Sequence, residues 1–116
     1  MRHHKKIRKF GREKGQRIAL MRSLAVSFVM KGKIHTSEAK AKELRPYVEK
    51  LVTRAKNDTL AGKRLVASRI GSVDAMKKLF SVWGPKFKER NGGYTRIVKL
   101  PARLSDGSRR AVIEFI

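Results

Sequence analysis

The sequence predicts an α+β protein, with about four helices packed with a small, mainly antiparallel sheet and a basic N-terminal extension ahead of them. Three observations predict it. Apolar residues recur at three- and four-residue steps between Arg17 and Trp83, the spacing of helices with one buried face. From Tyr94 the pattern changes to alternation and then to a second apolar run, Ala111 to Ile116, which together read as a hairpin of strands. Residues 1–17 hold eight Lys or Arg, and Ile7 and Phe10 are their only large apolar side chains after Met1. The expected division is a basic extension over 1–16 and a single α+β domain over 17–116. A chain of 116 residues suits one such domain.

The extension comes first. Alone in water it cannot bury enough apolar surface to offset the entropy of ordering it, so it is expected to order on a partner. The first helix starts near Arg17, with Ile18, Met21, Leu24, Ala25 and Phe28 as its stripe. Gly32 ends it, suited to the left-handed position past a helix. Lys33 to Thr36 is a candidate short strand near Ile34, for the edge of the sheet.

Thr36 or Ser37 then caps a second helix, with Glu38 at the positive end of its dipole. This helix runs to about Asn57 and buries Leu44, Val48, Leu51, Val52 and Ala55. Pro46 falls inside it and removes a helical donor, so a kink or break is expected near Arg45. Asp58-Thr59 starts a third helix with Leu60, Leu65, Val66 and Ile70 inward, closed by Gly71. Ser72 and Asp74 start a fourth, with Val73, Met76, Leu79, Phe80 and Trp83 as its face and Gly84-Pro85 as its stop. Phe80 and Trp83 are read as core. The loop to Gly93 leads into a strand over Tyr94 to Leu100, and Asp106-Gly107 turns the chain toward the last strand.

Charge bounds the function. Lys and Arg number 30 against 9 Asp and Glu, a formal net charge of +21. Such an excess repels itself in a compact fold and calls for a polyanion, and nucleic acid supplies one by releasing condensed counterions. An anionic membrane fits less well, because no apolar run approaches the ~18 residues of a span. The chain has no cysteine, which excludes disulfides and thiolate-held metals. A basic start without an apolar stretch after it does not read as a secretory signal, and a cytoplasmic location is expected. The acidic residues are scattered and His35 stands alone, so no acid–base or metal site is legible. No enzyme, cofactor or metal is expected.

The candidate RNA-binding residues fall in three groups. Arg2, His3, Lys5, Lys6, Arg8, Lys9, Arg12 and Arg17 belong to the extension and its junction with the body. A guanidinium can fork onto two phosphate oxygens or stack on a base. Lys40, Lys42 and Arg45 share the second helix, where Ala39 and Ala41 leave room for a phosphate backbone. Pairing of these cations with Glu38, Glu43 and Glu49 along the helix is the competing reading. Arg90, Gly92, Gly93, Tyr94, Thr95 and Arg96 form the third group. Its glycines allow a tight turn and close backbone approach, its arginines reach phosphate, and Tyr94 either stacks on a base or packs on the core.

Three stretches also carry a resemblance. Met-Arg-His…Phe-Gly-Arg over 1–12, Thr-Ser-Glu-Ala-Lys-Ala-Lys-Glu-Leu-Arg-Pro over 36–46 and Gly-Gly-Tyr-Thr-Arg over 92–96 closely resemble the family of bacterial large-subunit ribosomal protein seventeen. The resemblance spans essentially the whole chain in order, and the last strand stands where that family ends. His4 stands where the family often has Arg, and Phe10 where it often has Leu. The resemblance implies an α+β protein that binds large-subunit ribosomal RNA, with its N-terminal extension in the RNA. It implies a place near the exit of the peptide tunnel beside other large-subunit proteins, as a single copy. By that resemblance Arg2, His3, Gly11 and Arg12 belong to the extension, Lys40, Lys42 and Arg45 to the first helix motif, and Gly92 to Arg96 to the second. The expected function is a structural constituent of the large ribosomal subunit. The alternative is a DNA-architectural protein of the nucleoid, with Pro101 imitating a minor-groove wedge.

Overall fold

A computed structural model of the protein describes residues 13–116. Four helical stretches pack on one face of a three-stranded antiparallel sheet.

Helix α1 spans Lys14–Lys31, so it starts three residues before the expected Arg17. Its first turn is exposed, and a turn without an apolar face leaves no periodic signal. The stripe is buried only in its second half, at Ala25, Phe28 and Val29, while Ile18 stays 44% exposed. Gly32 closes the helix at φ 80°, its N–H donating to the carbonyl of Phe28 at 2.6 Å. Strand β1 (Lys33–Ser37) follows.

Helix α2 (Glu38–Ala55) is capped by Ser37, whose Oγ accepts from the Lys40 N–H at 3.2 Å. All five expected core positions are buried, joined by Ala41. The helix does not break at Pro46. Pro46 and Lys42 both lie on the exposed side, so the Lys42 carbonyl that loses its helical donor faces water instead of the core.

Helix α3 (Leu60–Ile70) starts at Thr59, whose Oγ1 accepts from the Gly62 N–H at 3.0 Å, and ends at Gly71 with φ 72°. Val66 and Ile70 are buried, but Leu60 is 64% exposed, because the inward face begins one turn later. Helix α4 (Val73–Lys78) is capped by Ser72, and its Val73 also faces solvent.

Gly84-Pro85 does not stop this last helix. The chain widens into a π turn over Leu79–Trp83 and continues through Gly84–Lys86. Gly84 has helical angles, φ −57° and ψ −56°. Its role is close packing: a Cβ there would collide with the carbonyl oxygen of Ala55 and lie 2.9 Å from that carbonyl carbon. The glycine lets the π turn touch the end of α2.

Strands β2 (Thr95–Lys99) and β3 (Arg110–Phe115) complete the sheet, in the order β1-β3-β2. The last strand is therefore central, and the strand near Ile34 takes an edge, as expected. The register places Ile34 and Ile97 on either side of Ile113, and this row faces the helices. An aromatic stack joins the layers: Phe115 lies on Phe28 at 4.3 Å and on Trp83 at 4.0 Å between ring centres. Trp83 also donates from Nε1 to the Val29 carbonyl at 2.9 Å, so its polar edge is satisfied as its ring packs.

Candidate nucleic-acid interface

Arg2, His3, Lys5, Lys6, Arg8, Lys9 and Arg12 lie outside the described residues. Arg17 sits on the first turns of α1, half-buried. The remaining candidates are on the body, and the fold distributes them unequally.

On α2 the pairing along the helix is realised. Lys42 Nζ lies 2.9 Å from Glu38 Oε1, and Arg45 Nε lies 3.6 Å from Glu49 Oε2, both four residues apart. Glu38 also meets Lys99 of β2 at 3.6 Å. The hydrogen bond from Lys42, with the Lys42 and Lys99 charges behind it, holds the Glu38 carboxyl below its usual range against the opposing effect of burial. Ala41 is fully buried, so it supports the core and leaves no room for a phosphate. Lys42 and Arg45 remain about half exposed, at 45% and 46% of their side chains. The carboxylates they meet are mostly covered, at 13% and 22%, so a phosphate reaches these cations only from their open side.

The segment from Arg90 to Arg96 is divided between surface and core. Gly92 and Gly93 take φ values of 102° and 62°, backbone that L side chains rarely adopt, and the space beside both is open. Tyr94 is 1% exposed, with its ring 5.2 Å from that of Phe87. It packs on the core and offers no face to a base. Its hydroxyl meets Thr53 Oγ1 at 3.1 Å and accepts from Lys56 Nζ at 3.2 Å. Burial alone would raise the phenol's pKa, but bonds with Thr53, Lys56 and the Gly92 backbone, together with the Lys56 charge, bring it below the ordinary value. Thr95 is also buried, and its Oγ1 donates to Glu49 Oε2 at 2.9 Å. Arg96 stays 61% exposed while its Nε donates to Glu114 Oε1 at 2.7 Å.

Lys56 ties this loop down, and sequence pattern did not single it out. Its Nζ donates to the Arg90 carbonyl at 2.6 Å as well as to Tyr94. Glu49, read from the sequence only as a partner for the helix cations, also accepts from the Thr95 side chain while it lies beside Arg45. With Thr53, they hold the loop to α2 and its C-terminal cap. The only legible signal for Lys56 is its place at the polar end of α2, where any lysine is unremarkable.

The sequence profile of the family described as Ribosomal protein L17 matches residues 20–116. The chain belongs to this family. Among its relatives is a protein named large ribosomal subunit protein bL17 from Sulfurihydrogenibium sp. (strain YO3AOP1), 53% identical over all of this chain and 97% of the relative. The protein of that name from Gemmatimonas aurantiaca is 50% identical over all of this chain and 98% of its own length. The one from Campylobacter jejuni serotype O:23/36 is 46% identical, over all of this chain and 99% of its own length. The L17 family consists of structural ribosomal proteins and not of enzymes, which settles the class of this chain. The resemblance read from residues 1–12, 36–46 and 92–96 thus identified the right family.

Proposed function

We propose that this L17-family chain is a structural constituent of the large subunit of the cytoplasmic bacterial ribosome, holding ribosomal RNA through phosphate contacts near the peptide exit. One observation carries the RNA-binding part: a net charge of +21 on 116 residues, too dense for the self-repulsion of a free compact domain to be neutral. Residues 1–16 serve as the RNA-binding extension of a single α+β domain, 17–116. Arg2, His3, Lys5, Lys6, Arg8, Lys9, Arg12 and Arg17 work in that extension and at its junction. On the body, Lys40, Lys42, Arg45, Arg90 and Arg96 supply charge, and Gly92 and Gly93 present open backbone. Tyr94 and Thr95 contribute by fixing this loop from beneath. The position near the exit, neighbouring large-subunit proteins as partners and a single copy per particle rest on the family resemblance.

The test is a salt titration of the chain against a fragment of large-subunit RNA. The logarithm of affinity should fall linearly with the logarithm of salt, with a slope of about −0.9 per phosphate on duplex RNA, by analogy with B-DNA. A slope near zero rejects the multi-phosphate interface.

A further inference from the structure

Helices α2 and α3 leave an open cleft of about 910 Å³ between them, lined also by Gly92 and Tyr94. Its volume is within the range of ligand sites, roughly 300–1,000 Å³. The floor is apolar, built from Pro46, Leu51 and Leu65. The walls carry Lys50 and Arg54 on α2 and Arg69 on α3. No ion pair among the described residues engages these three cations. The carboxylate that lines the cleft, Glu49, is occupied by Thr95 and Arg45. An apolar floor between cations that no described carboxylate pairs suits a flat ring attached to an anionic backbone.

We propose that this cleft seats an unpaired nucleotide of single-stranded RNA, its base on the apolar floor and its flanking phosphates held by Lys50, Arg54 and Arg69. The proposal rests on the RNA-binding reading and adds to it, because uniform phosphate contact needs no cleft and makes no distinction between strand and duplex. Bases outside a duplex are held by stacking on aromatic rings or arginine planes or, in a pocket, between apolar side chains, with basic residues tracking the backbone. Arg69 is well placed for this work. Its backbone carbonyl is fixed by Tyr47 at 2.6 Å and by Arg22 Nε at 3.2 Å, which anchors the wall from which its side chain extends.

The full chain is titrated with two fluorescent probes, a short oligoadenylate and a blunt RNA duplex. Ala61 is exposed and lines the cleft, so Ala61→Trp fills the space without a change in charge. It should weaken oligoadenylate binding by about tenfold, the scale of one lost base stack, and leave duplex binding unchanged. The triple variant K50Q/R54Q/R69Q should reduce the salt slope for oligoadenylate by about 2, from about 0.7 per phosphate on a single strand. The triple K31Q/K77Q/K88Q, equal in charge and away from the cleft, should leave that slope in place. Melting curves establish that each variant is folded. Unchanged oligoadenylate affinity in Ala61→Trp, as a protein segment in the cleft would give, overturns the assignment while the duplex data still support RNA binding. So does equal behaviour of the two triples. Failure of the unmodified chain to bind either probe overturns both readings.

Discussion

At the scale of single residues, the decisive positions are those whose role lies in a contact distant in sequence. Gly84 carries no charge and no side chain, yet it sets the distance between the π turn and the end of α2. Gly84→Ala forces a methyl against the Ala55 carbonyl, and overpacking of this kind costs about 1–3 kcal/mol. Thermal denaturation should show a loss of that size, and an unchanged melting temperature would mean that the helices part freely. Glu38 gives a prediction in pH. Its folded-state pKa is lowered from 4.5, chiefly by the Lys42 hydrogen bond. Between the folded value and 4.5 the unfolded chain therefore binds more protons, and stability rises with pH there. Glu38→Gln should melt lower than the parent at neutral pH. The gap should narrow as pH falls below 4.5 through the lowered folded value. A gap that stays constant to low pH would show that Lys42 and Lys99 contribute nothing through this carboxylate.

At the scale of elements, much of the fold was legible in the sequence. The buried stripe of α2, the caps at Ser37, Thr59 and Ser72, and the left-handed glycines at 32 and 71 all depend on residues within a few positions of one another. The failures share a cause. Leu60 and Val73 sit at the first turn of their helices, beyond the surface the neighbours cover, and periodicity does not report where cover ends. Gly84-Pro85 matches a helix stop in local chemistry, but packing against Ala55 overrides it. Tyr94 was ambiguous between a base and the core, and only the positions of Phe87, Thr53 and Lys56 decide it. The cleft cations were invisible as a group because Arg69 joins Lys50 and Arg54 only after α3 folds back on α2. Pro46 tests the same competition inside one element. It costs a helix interior about 3 kcal/mol relative to alanine, partly offset because it also restricts the unfolded chain. Pro46→Ala should therefore raise the midpoint of urea denaturation. A lowered midpoint would show that the proline packs more productively on the cleft floor than its exposed position implies.

At the scale of the whole molecule, stability and binding are expected to reside in different parts of the chain. Among the described residues, the buried core, the side-chain caps at Ser37, Thr59 and Ser72 and the aromatic stack all belong to positions from 25 onward. Residues 1–12 contain six of the 30 Lys and Arg, and the proposal gives them phosphate contacts. Removing residues 1–12 should then leave the melting temperature of the body nearly unchanged. The same deletion should reduce the salt slope for large-subunit RNA by up to about 5, if all six cations neutralise phosphates at about 0.9 each. The two readouts separate the roles. A body that melts several degrees lower would make the segment part of the fold, and it would move the domain boundary toward the N-terminus. An unaltered slope with intact melting would instead assign the phosphate contacts to the body alone, through Lys40, Lys42, Arg45, Arg90, Arg96 and the cations of the α2–α3 cleft.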